Sequence, residues 1–363
     1  MQASRPAPLT RASVGIASLA NEGVKIALSG VTDWYIPEAR PDDTFLYPGA
    51  QKASLAQRQT ARTLLALAKS ACYPIDEEGH RSDTLDDYRI EFEGRFYRGH
   101  RQRTVDGVFH ILRATTVVPD SKNLGLPNAV RNLLCCAQLG EMGGLVLVSG
   151  RPGHGKSTTS ASIILERVKQ HGAFCLTVEN PVEFPISGTY PAPGGRNGTI
   201  IQVEAVTKCF ADELRDALRC YPSNYQGSML LVGEVRDAET ASQVIRAAAN
   251  GQLVFMTTHA GNPVLCLERL MALASAQFRD QREVAVMLAS TLRALVHQEL
   301  VNGKLSVNTL FSFSTESEVA AVLAGGDPRM LQTEINRQKT LLANNQLESY
   351  ILKGIEPRIE GRK

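Results

Sequence analysis

The run Gly150-Arg-Pro-Gly-His-Gly155-Lys156-Ser157 has the residue types and spacing of a loop that cradles nucleotide phosphates. Gly150, Gly153 and Gly155 let backbone N–H groups converge on phosphate oxygens where a Cβ would obstruct them. Arg151, Pro152 and His154 are expected to contribute backbone, with no chemical role for the His154 ring. Lys156 is expected to reach the β- and γ-phosphates of ATP, and Ser157 to offer its hydroxyl to Mg²⁺. Thr158 follows in the first helical turn, where free amides and the helix dipole favour an anion. A glycine-rich turn that binds nothing accounts for the composition alone. It does not account for the apolar strand that enters the loop and the helix that leaves it.

Three further apolar stretches end in polar residues, and ligands of a parallel sheet gather outside the carboxyl ends of its strands. Residues 174–178 lead into Glu179-Asn-Pro-Val-Glu183, residues 229–232 into Gly233-Glu234-Val-Arg-Asp237, and residues 253–255 towards Thr257-Thr-His259. A carboxylate at the end of an apolar strand is costly to bury unless a cation or water uses it. Glu234 is therefore the candidate for the Mg²⁺ shell, alongside Ser157. Glu183 is the candidate for orienting and deprotonating the attacking water, with Glu179 able to share that role. His259 is the candidate sensor of, or donor to, the γ-phosphate. The plainer readings are a surface acid for either glutamate and a structural role for the histidine.

The elements that must hold these residues follow from periodicity. From about residue 128 short Val/Leu-rich strands alternate with helices: strands at 144–148, 174–178, 229–232 and 253–257, helices at 156–170, 210–218 and 239–249. That order predicts an α/β fold with a mostly parallel sheet covered on both faces. Residues 264–274 and 282–300 are expected as longer helices, and residues 307–313 as an edge strand. Upstream lies a small α+β region. A helix is expected at 55–72, where Leu55, Ala61, Leu64, Leu65, Leu67 and Ala68 share a face. Helical spacing also marks residues 12–28. Strands are expected near 33–36, 88–92 and 108–112, the last two separated by an arginine-rich stretch. Residues 119–127, bounded by prolines, are the expected linker. The domain expectation is 1–118, linker 119–127, an ATPase domain at 128–335 and a helical tail at 336–363.

Composition narrows the classes further. At 363 residues, a prior of about 150 residues per domain gives two domains. The chain is 43% hydrophobic and 21% charged, which excludes a largely disordered or fibrous protein. A formal charge of +2 gives no reason to expect a nucleic-acid coat or a polybasic membrane anchor. The 7 Cys contain no C-x-x-C pair, arguing against both a disulfide framework and a tetrathiolate zinc site. No apolar run reaches the ~18–20 residues of a membrane helix, so no integral membrane segment is expected. The N-terminus makes a poor signal peptide.

Together these residues resemble the secretion ATPase superfamily of type II and type IV systems. The nearest likeness is to pilus retraction ATPases of the PilT type and to DotB/TraJ-like ATPases of type IVB secretion and conjugation. The acidic box is met by Thr177-Val-Glu-Asn-Pro-Val-Glu183-Phe184 and the Walker B by Leu231-Val-Gly-Glu-Val-Arg-Asp-Ala-Glu-Thr240. The histidine box is Arg246-Ala-Ala-Ala-Asn-Gly-Gln-Leu-Val-Phe-Met-Thr-Thr-His259-Ala260, and Phe210–Arg219 looks like the family helix carrying two arginines. The resemblance implies a RecA-like P-loop domain after a PAS-like N-terminal domain. It implies a homo-hexameric, Mg²⁺-dependent ATPase motor that is cytoplasmic and peripheral at the inner membrane. Its partner would be an inner-membrane platform protein of a pilus or secretion machine, without sequence-specific nucleic-acid contact. It also implies N-domain arginine fingers, here Arg101 and Arg113 by rough alignment. Asn180 departs from an aspartate, Gln252 from a histidine and Ala260 from a threonine, and residues 187–198 form a Gly/Pro-rich insertion. A tetracysteine module is missing, which favours the retraction-like or DotB/TraJ-like branch. The rivals are a RecA-like hexameric DNA translocase or helicase, and a nucleotide-binding scaffold without turnover.

Overall fold

Period-two burial in a set of antiparallel strands, together with one helix apolar along one face, builds the smaller of two compact units. The structure is a computed structural model that describes residues 30–73, 85–115, 117–205, 209–222, 227–278 and 280–354; the helix expected at 12–28 lies outside them. The units are Met1–Val117 and Val118–Lys363. In the smaller, strands β1 (Asp33–Pro37), β2 (Phe45–Tyr47) and β3 (Gln51–Lys52) precede helix α1 (Leu55–Cys72). Strands β4 (Asp87–Phe92), β5 (Arg95–Thr104) and β6 (Gly107–Ala114) complete a six-stranded sheet ordered β3-β2-β1-β6-β5-β4. A capping box starts α1: the Gln57 amide donates to Ser54 Oγ and the Ser54 amide to Gln57 Oε1. Ala61, Leu64, Leu65, Ala68 and Cys72 of α1 share a core with Trp34, Ile36, Tyr97 and Leu112. The arginine-rich stretch expected to separate two strands is itself the strand β5. Tyr97 and Gly99 are buried while Phe96, Arg98 and His100 lie on the other face. Its charged residues hide that alternation from a reading based on strand propensity.

The larger unit opens with helices α2 (Asn128–Cys135) and α3 (Ala137–Met142), then strand β7 (Gly144–Ser149) and helix α4 (Lys156–His171). Strands β8 (Phe174–Glu179), β9 (Gly188–Pro191) and β10 (Asn197–Glu204) follow, then helix α5 (Phe210–Ala217), strand β11 (Met229–Val232) and helix α6 (Ala238–Ala249). Strand β12 (Leu253–Thr258), helices α7 (Pro263–Ser275) and α8 (Gln281–Thr291), and strands β13 (Leu292–Val301) and β14 (Lys304–Phe311) come next. Helices α9 (Glu318–Ala324), α10 (Gln332–Ala343) and α11 (Leu347–Lys353) end the described chain.

The eight-stranded sheet is ordered β14-β13-β7-β12-β11-β8-β10-β9. Its six middle strands pair in parallel, while β14 and β9 pair antiparallel at the edges. All residues of β7, β8, β11 and β12 are buried, as strands covered on both faces require. One apolar layer gathers α6, α7 and α8; the other gathers α2, α4 and α11.

The long helix expected at 282–300 is instead α8 followed directly by β13. Leu292-Arg-Ala-Leu-Val is buried on both faces, and such a run has no period that separates strand from helix. No glycine or proline marks the break. The Gly/Pro-rich insertion supplies the edge strand β9 and the start of β10. Residues 119–127 lie along α4: Ser162 Oγ donates to the Pro119 carbonyl, and Ser121 bonds Glu166. Gln338 of α10 is fully buried and pairs with both backbone groups of Phe311, which fixes the C-terminal helices to β14.

Candidate functional site

The buried strand β7 delivers the chain to Gly150 at the carboxyl end of the sheet, and α4 begins at Lys156. Gly150 has φ +154°, and a Cβ there would stand 2.4 Å from the Gln298 carbonyl oxygen of β13. Gly153 (φ +77°) and Gly155 (φ +79°) are left-handed, which turns the backbone over the N-terminus of α4. The His154 carbonyl accepts from Gln298 Nε2, and Arg151, Pro152 and Gly153 are exposed. Ser157 and Thr158 sit half-buried in the first turn of α4.

Lys156 is buried, at 7% exposure. Its Nζ donates to the Arg151 carbonyl at 3.1 Å and to His259 Nδ1 at 3.0 Å. His259 Nε2 stands 3.2 Å from Glu234 Oε1, and Arg236 donates to Glu234 Oε2 at 2.6 Å. With Nδ1 accepting from an ammonium group, Nε2 carries the imidazole proton and donates it to the carboxylate. The result is a hydrogen-bonded chain, Lys156–His259–Glu234–Arg236, from the start of α4 across the ends of β12 and β11. Burial lowers the Lys156 pKa below 10.5, opposed by the negative charges of Glu234 and Glu183. Both carboxylates thus act electrostatically on the lysine of the loop.

Glu183 is positioned differently. It lies in the loop after β8, exposed between buried Val182 and Phe184. Its neighbours are anchored through backbone: the Val182 amide donates to Glu204 Oε1, and the Ile186 and Ser187 amides donate to Gln202 Oε1. Glu179, the alternative, is buried at the last position of β8, where it accepts from Thr177 Oγ1 at 2.7 Å and Gln202 Nε2 at 3.1 Å. Its carboxylate is occupied by structure.

The departures fall at different depths. Gln252 precedes β12, at the opposite end of that strand from His259; six residues at about 3.3 Å each separate it from the phosphate loop. Asn180 is exposed directly after β8, and Ala260 follows His259 half-buried. In the α5 region, Arg215 pairs with Asp212 and Glu239, and Arg219 with Asp216.

In the smaller unit, Arg101 and Arg113 lie on opposite faces of the sheet. Arg101 opposes buried His110 on the α1 face, whereas Arg113 opposes Arg98 on the other. Arg101 donates to Tyr73 Oη at 2.9 Å and to Asp86 at 3.3 Å, with 9% side-chain exposure. Arg113 is 65% exposed and donates to Asp33 at 2.6 Å.

Reading the sequence missed Gln298, Arg236, Gln202 and Glu204. Gln298 was hidden by the misread helix. Gln202 and Glu204 share one face of β10, but Asn197 and Thr199 of that strand are polar too, so nothing in the sequence singles them out.

The donor set is oxygen-rich: the Ser157 hydroxyl and the Glu234 and Glu183 carboxylates suit a hard cation such as Mg²⁺. Among the described residues no three His, Cys, Asp or Glu are grouped to hold a metal unaided. A cation here would therefore take most of its ligands from phosphate and water. The glycine cradle and the buried lysine fit a nucleotide polyphosphate.

Residues 106–335 match the family described as type II/IV secretion system protein. The chain is 32% identical over 232 residues to the uncharacterized Escherichia coli protein YggR, covering 62% of this chain and 65% of that one. It is 35% identical over 160 residues to the type IV pilus retraction ATPase PilT of Pseudomonas aeruginosa, covering 44% of this chain and 42% of the relative. It thus spans less than two thirds of either relative. The crystal structure of the pilus retraction motor PilT with bound ADP superposes with a TM-score of 0.65 at 23% identity, covering 87% of this chain and 89% of that one. That likeness establishes the fold, a RecA-like P-loop domain preceded by a small α+β domain. The matched span runs through the phosphate loop, both acidic strand ends and His259, so the chain belongs to the type II/IV secretion system protein family.

Proposed function

We propose that the protein is a Mg²⁺-dependent ATP hydrolase that works as a homo-hexameric motor for a type IV pilus, type IVB secretion or conjugative apparatus. The observation that carries this reading is the meeting of Lys156, His259 and Glu234 at one glycine loop at the carboxyl edge of the sheet, with the negative charge of Glu183 acting on Lys156 as well. Lys156 would leave His259 for the β- and γ-phosphates, while backbone amides of residues 150–158 take the remaining oxygens. Mg²⁺, when bound near Ser157 and Glu234, supplies neutralisation of phosphate charge. Glu183 orients water and takes its proton as oxygen attacks the γ-phosphorus, giving ADP and phosphate. His259, released from Lys156, is free to donate to the γ-phosphate. Arg113 and Arg101 remain the finger candidates, and Arg113 is the more exposed of the two.

The motor would act at the cytoplasmic face of the inner membrane through an integral platform protein. No helix among the described residues is long and apolar enough to cross a membrane. Phosphate release from Mg-ATP by the purified full chain tests the reading. Turnover that depends on Glu183 is expected, and its absence in the hexameric form would sink the proposal.

A further inference from the structure

The Gly/Pro-rich insertion and the strand it leads into have a task beyond extending the sheet. β10 pairs in parallel with β8, placing Gln202 opposite Thr177 and Glu204 opposite Glu179. Residues two apart on a strand share a face, so Gln202 and Glu204 project to the side of the sheet that also buries Ile200. The loop that follows β8 folds back over this same side, burying Phe184 and Ile186 in the same apolar cluster.

Gln202 makes four hydrogen bonds. Its Oε1 accepts from the Ile186 amide at 2.7 Å and the Ser187 amide at 2.9 Å; its Nε2 donates to the Phe184 carbonyl at 2.9 Å and to Glu179 Oε1 at 3.1 Å. That is the whole capacity of a carboxamide, two donors and two acceptor sites. Glu204 accepts from the Val182 amide at 3.1 Å. The insertion adds to the same loop from outside, with Tyr190 Oη donating to the Ile186 carbonyl at 2.7 Å, and Ser187 Oγ of the loop donates to the Ile200 carbonyl of β10 at 3.2 Å. The backbone is thus gripped at residue 182 and at residues 184, 186 and 187, and the exposed residue between those grips is Glu183.

We propose that Gln202, assisted by Glu204, is a positioning residue for Glu183: β10 clamps the loop so that the carboxylate is presented outward at a fixed place. This rests on the reading of Glu183 as the base. A base must stand within hydrogen-bond reach of its water, and a displacement of about 1 Å can reduce turnover by as much as ~100-fold. The glycine loop and Lys156 lie on other elements, so nucleotide affinity is separable from the clamp.

The test compares the full chain with Gln202→Leu and the near-isosteric Gln202→Glu, which keeps the acceptor but loses both donors. Phosphate release, binding of a fluorescent ATP analogue and hydrogen exchange at the Ile186 and Ser187 amides are read together. For Gln202→Leu, kcat is expected to fall ~10- to 100-fold while nucleotide Kd changes less than about twofold. Exchange at both amides should accelerate, and Gln202→Glu, whose carboxylate would face that of Glu179, should lose at least as much kcat as Gln202→Leu. Wild-type kcat in Gln202→Leu would overturn the positioning role, as would a lower kcat with unchanged exchange. Equal losses of kcat and affinity in both variants would overturn it too. If Glu183→Gln turns over at the wild-type rate, the base assignment fails and takes the positioning role with it. The exchange data then still report whether the clamp exists, so the two failures can be told apart.

Discussion

Two histidines in this chain sit in chains of the same chemical grammar, one in each unit. His110 has Tyr88 Oη at 2.6 Å from Nδ1, Glu38 at 3.2 Å from Nε2, and Lys69 on the far oxygen of that carboxylate at 3.1 Å. His259 has Lys156 on Nδ1, Glu234 on Nε2, and Arg236 on the far oxygen of its carboxylate. The difference is the third dimension. His110 is 0% exposed beneath α1, whereas the His259 side chain is 33% exposed at a strand end. Burial makes the first chain a structural closure, since an unpaired polar group there costs its full desolvation. Exposure makes the second exchangeable, because phosphate oxygens and water can replace each partner at little cost. Partner identity follows suit. The closed chain ends on a tyrosine hydroxyl that need never move, and the open one on the lysine of the phosphate loop.

The largest effect should come from the carboxylate outside the open chain. Glu183→Gln is expected to lower kcat by ~10²–10⁴ while leaving ATP affinity near wild type, measured by phosphate release and nucleotide binding. Lys156→Ala should instead lose nucleotide binding. If Glu183→Gln loses affinity as well, the division between holding and chemistry is wrong.

Removing each histidine sharpens the contrast. His259→Ala should reduce kcat/KM by ~10- to 100-fold with little change in melting temperature. His110→Ala should do the reverse, lowering the melting temperature of the smaller unit by on the order of 5–10 °C through its unpaired partners. Trp34 is the single tryptophan and is fully buried in the smaller unit's core, so its fluorescence reports that unit alone. A His259→Ala variant that melts early but turns over normally would erase the distinction.

Arg236 offers a weaker lever. The Arg236 side chain is 70% exposed, and such a surface pair is worth about 0–1 kcal/mol. Arg236→Ala should therefore shift the Mg²⁺ concentration for half-maximal turnover by no more than about fivefold. A much larger change would mean that Arg236 touches the nucleotide itself.

How far these features were legible beforehand depended on whether chemistry or packing carried them. The phosphate loop was readable because Gly150, Gly155 and Lys156 are nearly dictated residue by residue. The parallel strands were readable as apolar runs ending in Glu179, Gly233 and Thr257. Strand β5 was not, since its arginines break a propensity argument while its alternation obeys a geometric one. Nor was β13, whose leucines and valines suit helix and strand equally, and with it went Gln298. The clamp on Glu183 was invisible for another reason. Gln202 gains meaning only once β10 is seen beside β8, and a linear reading places it nineteen residues from the acid it serves.

The closed chain gives the subtlest prediction, one of pH. Burial depresses the His110 pKa below 6.5, assisted by the nearby positive charges of Arg101 and Lys69; the Glu38 carboxylate opposes but does not outweigh them. Tyr88 completes the surroundings as a neutral hydroxyl whose own pKa is pushed far up by burial. As pH falls through 6.5 the unfolded chain takes up the proton first, while the folded chain keeps its imidazole neutral. The unfolded state then binds more protons, so stability decreases with falling pH until the folded-state pKa is reached. Above 6.5 this group leaves stability flat. Trp34-detected melts should show the melting temperature of the smaller unit falling as pH drops below 6.5. A His110→Gln variant should start lower but lose that slope. If the slope survives in the variant, the pH dependence belongs to another group and the closed chain is less decisive for this unit than its burial implies.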